Sequence, residues 1–365
     1  MPPDYVERKD LMNKRKTICI VSPYPPPLGG MAIQAQKMGR LLKESGYDVV
    51  AVKTNADIPP PLAFLSRFKG IRTIATVLFF LKNLNSALNR TSVVYFFTGF
   101  FDFFFWVTYP ALILIKLRKK RVILSVRGGG AREFFKKYKK LLAPVFYQVD
   151  TFTAPSGFLK DVFKEFFDID PVLVPNIADL DQFQYMDRKV IQPKFIVTRS
   201  LEDIYNVECV IQAFNLIHDE YPDAGLGIVG DGTRRRDLER LVTKLDLKDC
   251  VTFYGRVEHS KIQNYYKKYD VFINASKVDN LPGTILESFA CGLPVVTTSP
   301  GGIPYMVKDG KTGILVKDDD CQALADKTIE LLQFPEKANA LAKNARKEIY
   351  SYSWEKIKPV LFELL

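Results

Sequence analysis

Two carboxylates, Asp279 and Glu287, flank the start of a short helix in the stretch Asp270 to Pro304, DVFINASKVDNLPGTILESFACGLPVVTTSPGGIP. A carboxylate accepts two or more hydrogen bonds, so a pair of them suits the vicinal hydroxyls of a sugar. Between them Leu281-Pro282-Gly283-Thr284 opens the helix, and Leu281, Ile285 and Phe289 recur every fourth residue, the spacing of one buried stripe. Pro282 at its start and Gly292 at its end fit the asymmetry of helix termini. The first turn of such a helix has unpaired N–H groups and the positive end of the helix dipole, which suit a phosphate or a row of hydroxyls. Apolar strands over 271–273 and 294–298 make the stretch a βαβ unit. Asn274, Ser276, Asp279 and Asn280 then stand at a strand's carboxyl end, where open α/β sheets bind ligands. On spacing alone a plainer alternative stays open, in which Asp279 caps the turn and Glu287 solvates a helix face.

Other candidates follow other strands. A strand over 17–21 runs through a proline-rich loop to Gly29-Gly30, and a helix to about Ser45 comes next. Strand, glycine pair and helix form a phosphate-friendly junction. The loop matches neither G-x-G-x-x-G nor the Walker pattern, so an ordinary turn is the alternative. Arg127-Gly128-Gly129-Gly130 follows a strand over 121–126, and Arg199 a strand over 194–198. Gly230-Asp231-Gly232 and Gly255-Arg256 close two further strands, over 225–229 and 251–254. For Arg199 the alternative is a surface ion pair.

The opening stretch resembles the donor-sugar signature of the retaining glycosyltransferase family 4. That signature is an acidic residue, seven others and a glutamate, then A-C-G-x-P-V-V. Here it is Asp279, Glu287 and Ala290-Cys291-Gly292-Leu293-Pro294-Val295-Val296, followed by Gly301-Gly302-Ile303-Pro304 and Asp309-Gly310-Lys311-Thr312-Gly313. The resemblance covers nearly the whole chain and is more specific in the second half. It implies an α/β protein of GT-B fold: two Rossmann-like domains facing a cleft, with a C-terminal helix crossing back to the first. It also implies retaining transfer from a nucleotide-diphosphate sugar to a glycan or lipid-linked hydroxyl acceptor, with no metal and no further cofactor. Catalytic roles fall to Asp279, Arg199 and Arg127. Arg199 would clamp the donor diphosphate, helped by amides near Gly283 and Gly30, and Gly29 would allow the close approach. Asp279 would hold sugar hydroxyls and Glu287 the ribose. Asn280, Leu281, Pro282 and Thr284 complete the donor loop, while Gly230 and Arg256 shape the nucleotide pocket.

The chain departs from the family at several of these places. Asp279 replaces the usual glutamate and is one methylene shorter. Tyr305 stands where a glutamate commonly follows G-G-x-P, and Arg127 where many members have a histidine. Tyr205 and Asn206 occupy the places of the phosphate lysine and the glycine after it, which removes a charge from the phosphate site. Arg127 and Arg256 are the compensating candidates. The missing lysine and histidine motivate a second reading, a catalytically weak partner subunit that binds sugar nucleotide or glycan, and a sugar-nucleotide epimerase of the same fold is a third.

A chain of 365 residues exceeds one ordinary core. The expected parts are a flexible leader (1–16), an acceptor-side domain (17–187), a donor-binding domain (188–350) and a crossing helix (351–365). Five scattered cysteines without C-x-x-C predict reduced thiols, no disulfide frame and no metal cluster. With no apolar signal at the N-terminus, a cytoplasmic protein is expected. The net charge is +11, with runs at KLRKKR (116–121), KKYKK (136–140) and Arg234-Arg235-Arg236. No nucleic-acid motif accompanies them. An anionic membrane surface is the better specific partner, which would place the protein peripherally at the inner membrane face. The most apolar stretch, Phe100 to Leu117, is broken by Asp102 and Pro110 and reads as a buried crossover helix rather than a membrane span.

Overall fold

The computed structural model describes residues 17–25, 29–60, 64 and 69–365. The expected leader lies outside them, as do residues 26–28 of the proline-rich loop before Gly29. The chain divides into two compact units: Met1–Pro155 with Leu159–Ile177 and Lys358–Leu365, and Ser156–Phe158 with Ala178–Ile357.

In the first unit strands and helices alternate: β1 (Thr17–Ser22), α1 (Gly30–Glu44), β2 (Asp48–Lys53), α2 (Lys69–Leu88), β3 (Val93–Thr98), α3 (Tyr109–Leu117), β4 (Arg121–Val126), α4 (Ala131–Phe146), β5 (Thr151–Ala154), α5 (Gly157–Phe167) and β6 (Val172–Leu173). The sheet order is β2-β1-β3-β4-β5-β6, and every pairing is parallel. Cys19 of β1 stands beside Val50 on one side and Val94 on the other. Such strands are covered on both faces and therefore read as unbroken apolar runs; all six residues of β3 are buried. The crossovers β2 to β3, β3 to β4 and β4 to β5 advance in one direction. With right-handed connections, α2, α3 and α4 lie side by side on one face of the sheet and α1 on the other.

The second unit repeats the plan: β7 (Lys194–Thr198), α6 (Val207–Glu220), β8 (Gly225–Val229), α7 (Arg235–Lys244), β9 (Val251–Gly255), α8 (Gln263–Tyr266), β10 (Val271–Asn274), α9 (Gly283–Cys291), β11 (Val295–Thr298), α10 (Ile303–Met306), β12 (Ile314–Val316), α11 (Cys321–Gln333) and α12 (Pro335–Glu348). Its parallel sheet runs β12-β11-β10-β7-β8-β9.

Two expectations, the domain boundary and the burial of the Phe100–Leu117 stretch, are corrected, and the crossing helix is found. The boundary falls between Ile177 and Ala178, not at Asp187. Phe183 belongs to the second unit's core, and the buried Arg188 donates to the carbonyls of Tyr266, Tyr269 and Cys291, which ties the segment there. The C-terminal helix α13 (Trp354–Leu364) contributes to the second unit up to Ile357 and to the first from Lys358 onward; Phe362 packs edge-on against Tyr47 at 5.0 Å. The Phe100–Leu117 stretch is helical but only half buried. A π turn, Phe104–Thr108, precedes α3, where Pro110 has no N–H to return to the turn before it. Phe104, Ala111, Leu112 and Ile115 face inward, while Trp106, Ile113 and Leu117 are exposed.

The thiol expectation also changes. Cys209 and Cys321, 112 residues apart, form a disulfide between the first turns of α6 and α11. That separation carried no signal in the cysteine spacing. Cys19, Cys250 and Cys291 remain free, and burial pushes the Cys19 and Cys291 thiols up to about 12. A thiol reagent should therefore find only Cys250 in the native protein, three thiols in denaturant, and five after reduction. Five in denaturant without reductant would refute the bridge.

Candidate functional site

The site grows from the carboxyl ends of β7, β8 and β10. Arg199 leaves β7, and its backbone N–H donates to Val229 O at 3.0 Å. Gly230, next after Val229, has φ +143, and a Cβ there would lie 1.8 Å from Arg199 O. Only glycine lets the two strand ends lie this close. The Arg199 side chain then takes three partners. Nε donates to Asn274 Oδ1 at 2.8 Å, the guanidinium lies over the Tyr205 ring at 5.1 Å, and Nη2 stands 2.8 Å from Asp279 Oδ2.

Asp279 and Arg199 are thus brought together, with side chains 13% and 7% exposed. The approach is a charge contact rather than an aligned hydrogen bond: among the described residues Arg199 Nη2 and Asp279 Oδ2 are both buried without a hydrogen-bond partner. Asp279 Oδ1 accepts from the Asn280 amide at 2.9 Å. The glycine pair of G-G-I-P sits beneath this loop. The Gly302 amide donates to Asp279 O, and a Cβ on Gly301 or Gly302 would lie 2.2 Å from Asp279 O or 2.0 Å from Asn280 O. Asn280 and Leu281 are buried, and Pro282 is the N-cap of α9. The amides of Gly283 and Thr284 open the helix ahead of its first backbone bond, which Ile285 makes to Pro282 O. Thr284 Oγ1 is a third buried, unpartnered polar atom.

Glu287, one turn further, is gripped on both oxygens. His259 Nε2 lies 2.9 Å from Oε1, and Tyr266 donates its hydroxyl to Oε2 at 2.8 Å. The Tyr266 hydroxyl also meets Thr198 Oγ1 at 2.8 Å, and its burial, followed by the Glu287 charge, pushes its pKa well above the usual tyrosine value. Asn274 is equally embedded, accepting from Ser276 Oγ and donating to Thr297 Oγ1. Sequence reasoning placed Asn274 in the loop but did not place His259 or Tyr266 in the site. Nothing in the 28-residue separation of His259 and Glu287 marks them as partners. Phenylalanine at Tyr266 should remove two buried hydroxyl contacts and cost about 1–2 kcal/mol, read from the urea midpoint.

The remaining expected residues lie as follows. Tyr205, in the lysine's place, is the ring beneath Arg199, and burial raises its pKa. Asn206, in the glycine's place, adopts φ 48, ψ 44, a left-handed conformation that asparagine tolerates better than most residues. Arg256 is exposed. In the first unit, Arg127 is 7% exposed. It donates to Ser125 Oγ and Asn176 Oδ1 and lies over the Phe97 ring at 4.6 Å; burial lowers its pKa. Gly29 and Gly30 are exposed at the N-terminus of α1, with open space where a Cβ would stand. No three His, Cys, Asp or Glu side chains converge as metal ligands among the described residues.

Residues 182–348 match the family model described as glycosyl transferases group 1. Sulfoquinovosyl transferase SQD2 of Arabidopsis thaliana is 32% identical over 151 residues, 40% of this chain and 29% of that protein. The N-acetyl-alpha-D-glucosaminyl L-malate synthase of Bacillus anthracis is 33% identical over 147 residues, 40% of this chain and 38% of that one. The chain thus spans about a third of the length of these curated relatives. Among solved structures, sucrose-phosphate synthase from Thermosynechococcus elongatus superposes with a TM-score of 0.77 at 19% identity, over 96% of this chain and 98% of that one. Anabaena Alr3699/HepE, solved with UDP and glucose, gives 0.72 at 15% identity, over 95% and 98%. These likenesses establish the two-domain α/β GT-B fold, and residues 182–348 are similar in sequence to the glycosyl transferases group 1 family.

Proposed function

We propose that this chain is a retaining glycosyltransferase of the family 4 type. It would move a sugar from a nucleotide-diphosphate donor to a hydroxyl of a glycan or lipid-linked acceptor, in glycolipid or polysaccharide assembly. One observation carries the reading. Arg199 Nη2, Asp279 Oδ2 and Thr284 Oγ1, three buried atoms without hydrogen-bond partners, belong to the Arg199–Asp279 contact and the opening turn of α9. Arg199 Nη2 and Asp279 Oδ2 meet only each other, at 2.8 Å, and Thr284 Oγ1 has no hydrogen-bond partner among the described residues; a bound donor would supply the hydrogen bonds these atoms lack.

In the reaction the acceptor hydroxyl oxygen bonds to the sugar's anomeric carbon as the bond from that carbon to the phosphate breaks. The proton passes to the departing phosphate on the same face, and nucleoside diphosphate leaves. Arg199 and the amides of Gly283 and Thr284 face the charge that builds on the leaving group, where preformed donors are most effective. Asp279 takes sugar hydroxyls, and Glu287, held by His259 and Tyr266, takes the ribose. HepE's complex with UDP and glucose supports a nucleotide-sugar donor.

A second reading, a donor-binding partner subunit of low activity, is favoured by Tyr205 in the lysine's place. Thermal shift against UDP, GDP and ADP sugars identifies the donor. Incubation of the labelled donor with and without acceptor glycolipid then decides the chemistry. Acceptor-dependent transfer that Asp279→Ala reduces about a hundredfold supports the enzyme. Binding without transfer supports the partner subunit, and an altered sugar nucleotide without acceptor supports an epimerase.

A further inference from the structure

The sequence between Ile58 and Val149 holds sixteen lysines and arginines and only two acidic residues, Asp102 and Glu133. Its net +14 exceeds the +11 of the whole chain, so the remainder is weakly acidic. This segment supplies α2, α3 and α4, three helices that share one face of the first unit's sheet. Their outer stripes are apolar where a water-facing layer would be polar. Ile74 and Leu78 on α2 are 52% and 61% exposed, and Trp106 and Leu117 beside and on α3 are 54% and 74% exposed. Trp106 sits in the π turn, with Ile113 exposed between it and Leu117. Arg118, just past α3, bridges the two helices by donating to Asn85 of α2 and to Asn89 just beyond its end, so the stripes are neighbours. On α4, Lys136, Lys137, Lys139 and Lys140 are exposed. No helix among the described residues is long and apolar enough to cross a membrane.

We infer that this face docks on the surface of an anionic lipid bilayer. The apolar stripes of α2 and α3 would enter the headgroup–acyl boundary, and the lysines of α4 would lie over acidic headgroups. An apolar stripe edged by lysine and arginine is what an interfacial contact requires, and tryptophan favours that boundary. A second copy of this chain would bring the same positive field against itself, which argues for the lipid. The inference stands on this surface rather than on the transfer chemistry, so a failed transfer assay leaves it intact.

The full chain should co-sediment with phosphatidylcholine vesicles containing about a third phosphatidylglycerol, and about tenfold less with phosphatidylcholine alone. Quadruple substitution of Lys136, Lys137, Lys139 and Lys140 by glutamine, all at exposed positions, should weaken binding at least about tenfold and flatten its salt dependence. Trp106→Ser with Leu117→Ser should weaken it comparably. The chain has two tryptophans, Trp106 and Trp354. Anionic vesicles should shift the emission of the native chain to the blue, and Trp106→Phe should abolish the shift while still binding. Sedimentation with neither vesicle overturns the inference. So does binding that the glutamine variant leaves unchanged, or a concentration-dependent dimer that the serine variant dissolves.

Discussion

Alanine at Arg199 is expected to reduce transfer by about 10²–10³ in kcat, the usual cost of removing one preformed donor to a developing anion. Steady-state kinetics with the donor found by thermal shift would measure it. The same substitution acts on the free protein, because it leaves the Asp279 carboxylate, 13% exposed, with the Asn280 amide and no cation in contact. Breaking a buried ion pair from one side costs about 3 kcal/mol, visible as a lower urea midpoint. Activity and stability separate in the double variant. Removing Asp279 as well relieves the stranded charge, so Arg199→Ala with Asp279→Ala should be more stable than the sum of the singles. Its transfer should remain as low as the worse single. Lysine at 199 keeps the charge but loses the fork that serves Asn274 and Asp279 together. It should recover less than a tenth of the activity.

The contact between Arg199 and Asp279 changes how the missing lysine is understood. A site with two cations would hold net positive charge before the donor arrives. Here one guanidinium is already balanced by a carboxylate and lies over the Tyr205 ring. On the proposed function, a donor's diphosphate would draw Arg199 from Asp279, while its sugar hydroxyls would occupy the carboxylate so released. Donor binding would then be coupled to a rearrangement of the pair.

The sheets were legible because parallel strands covered on both faces read as apolar runs, and the glycines because each closes such a run. The loop and helix after β10 were legible for the same reason: Pro282, Gly283 and Gly292 bracket a helix of nine residues. The partners of Glu287 were not. His259 reaches it from a short 3₁₀ turn and Tyr266 from a four-residue helix, neither with enough length to show a periodicity. The exposed face of the Phe100–Leu117 stretch was hidden too, because composition counts apolar residues without saying which side they face. The Cys209–Cys321 bridge depends on two helix starts that only the sheet order brings together.

Alanine at Gly302 tests the loop geometry without touching a charged group. Gly302 has a φ of −91 that any residue adopts, so the added methyl brings no backbone strain. It collides with Asn280, lying 2.0 Å from its backbone O, which has no rotamer to escape through, and 2.9 Å from its Oδ1. The 279–280 loop must rise off its support, carrying Asp279 away from Arg199. Overpacking of this kind costs about 2–3 kcal/mol, and transfer should fall about a hundredfold because a displacement near 1 Å at a positioning group is enough for that. Gly310→Ala is the control. Its φ of +65 carries the left-handed penalty, but nothing lies within 4 Å of the new methyl. It should cost about 1 kcal/mol and leave kcat unchanged. Equal kinetic loss in both variants would mean that stability alone governs the activity. Loss confined to Gly302→Ala would show that the glycine pair is there to seat the carboxylate.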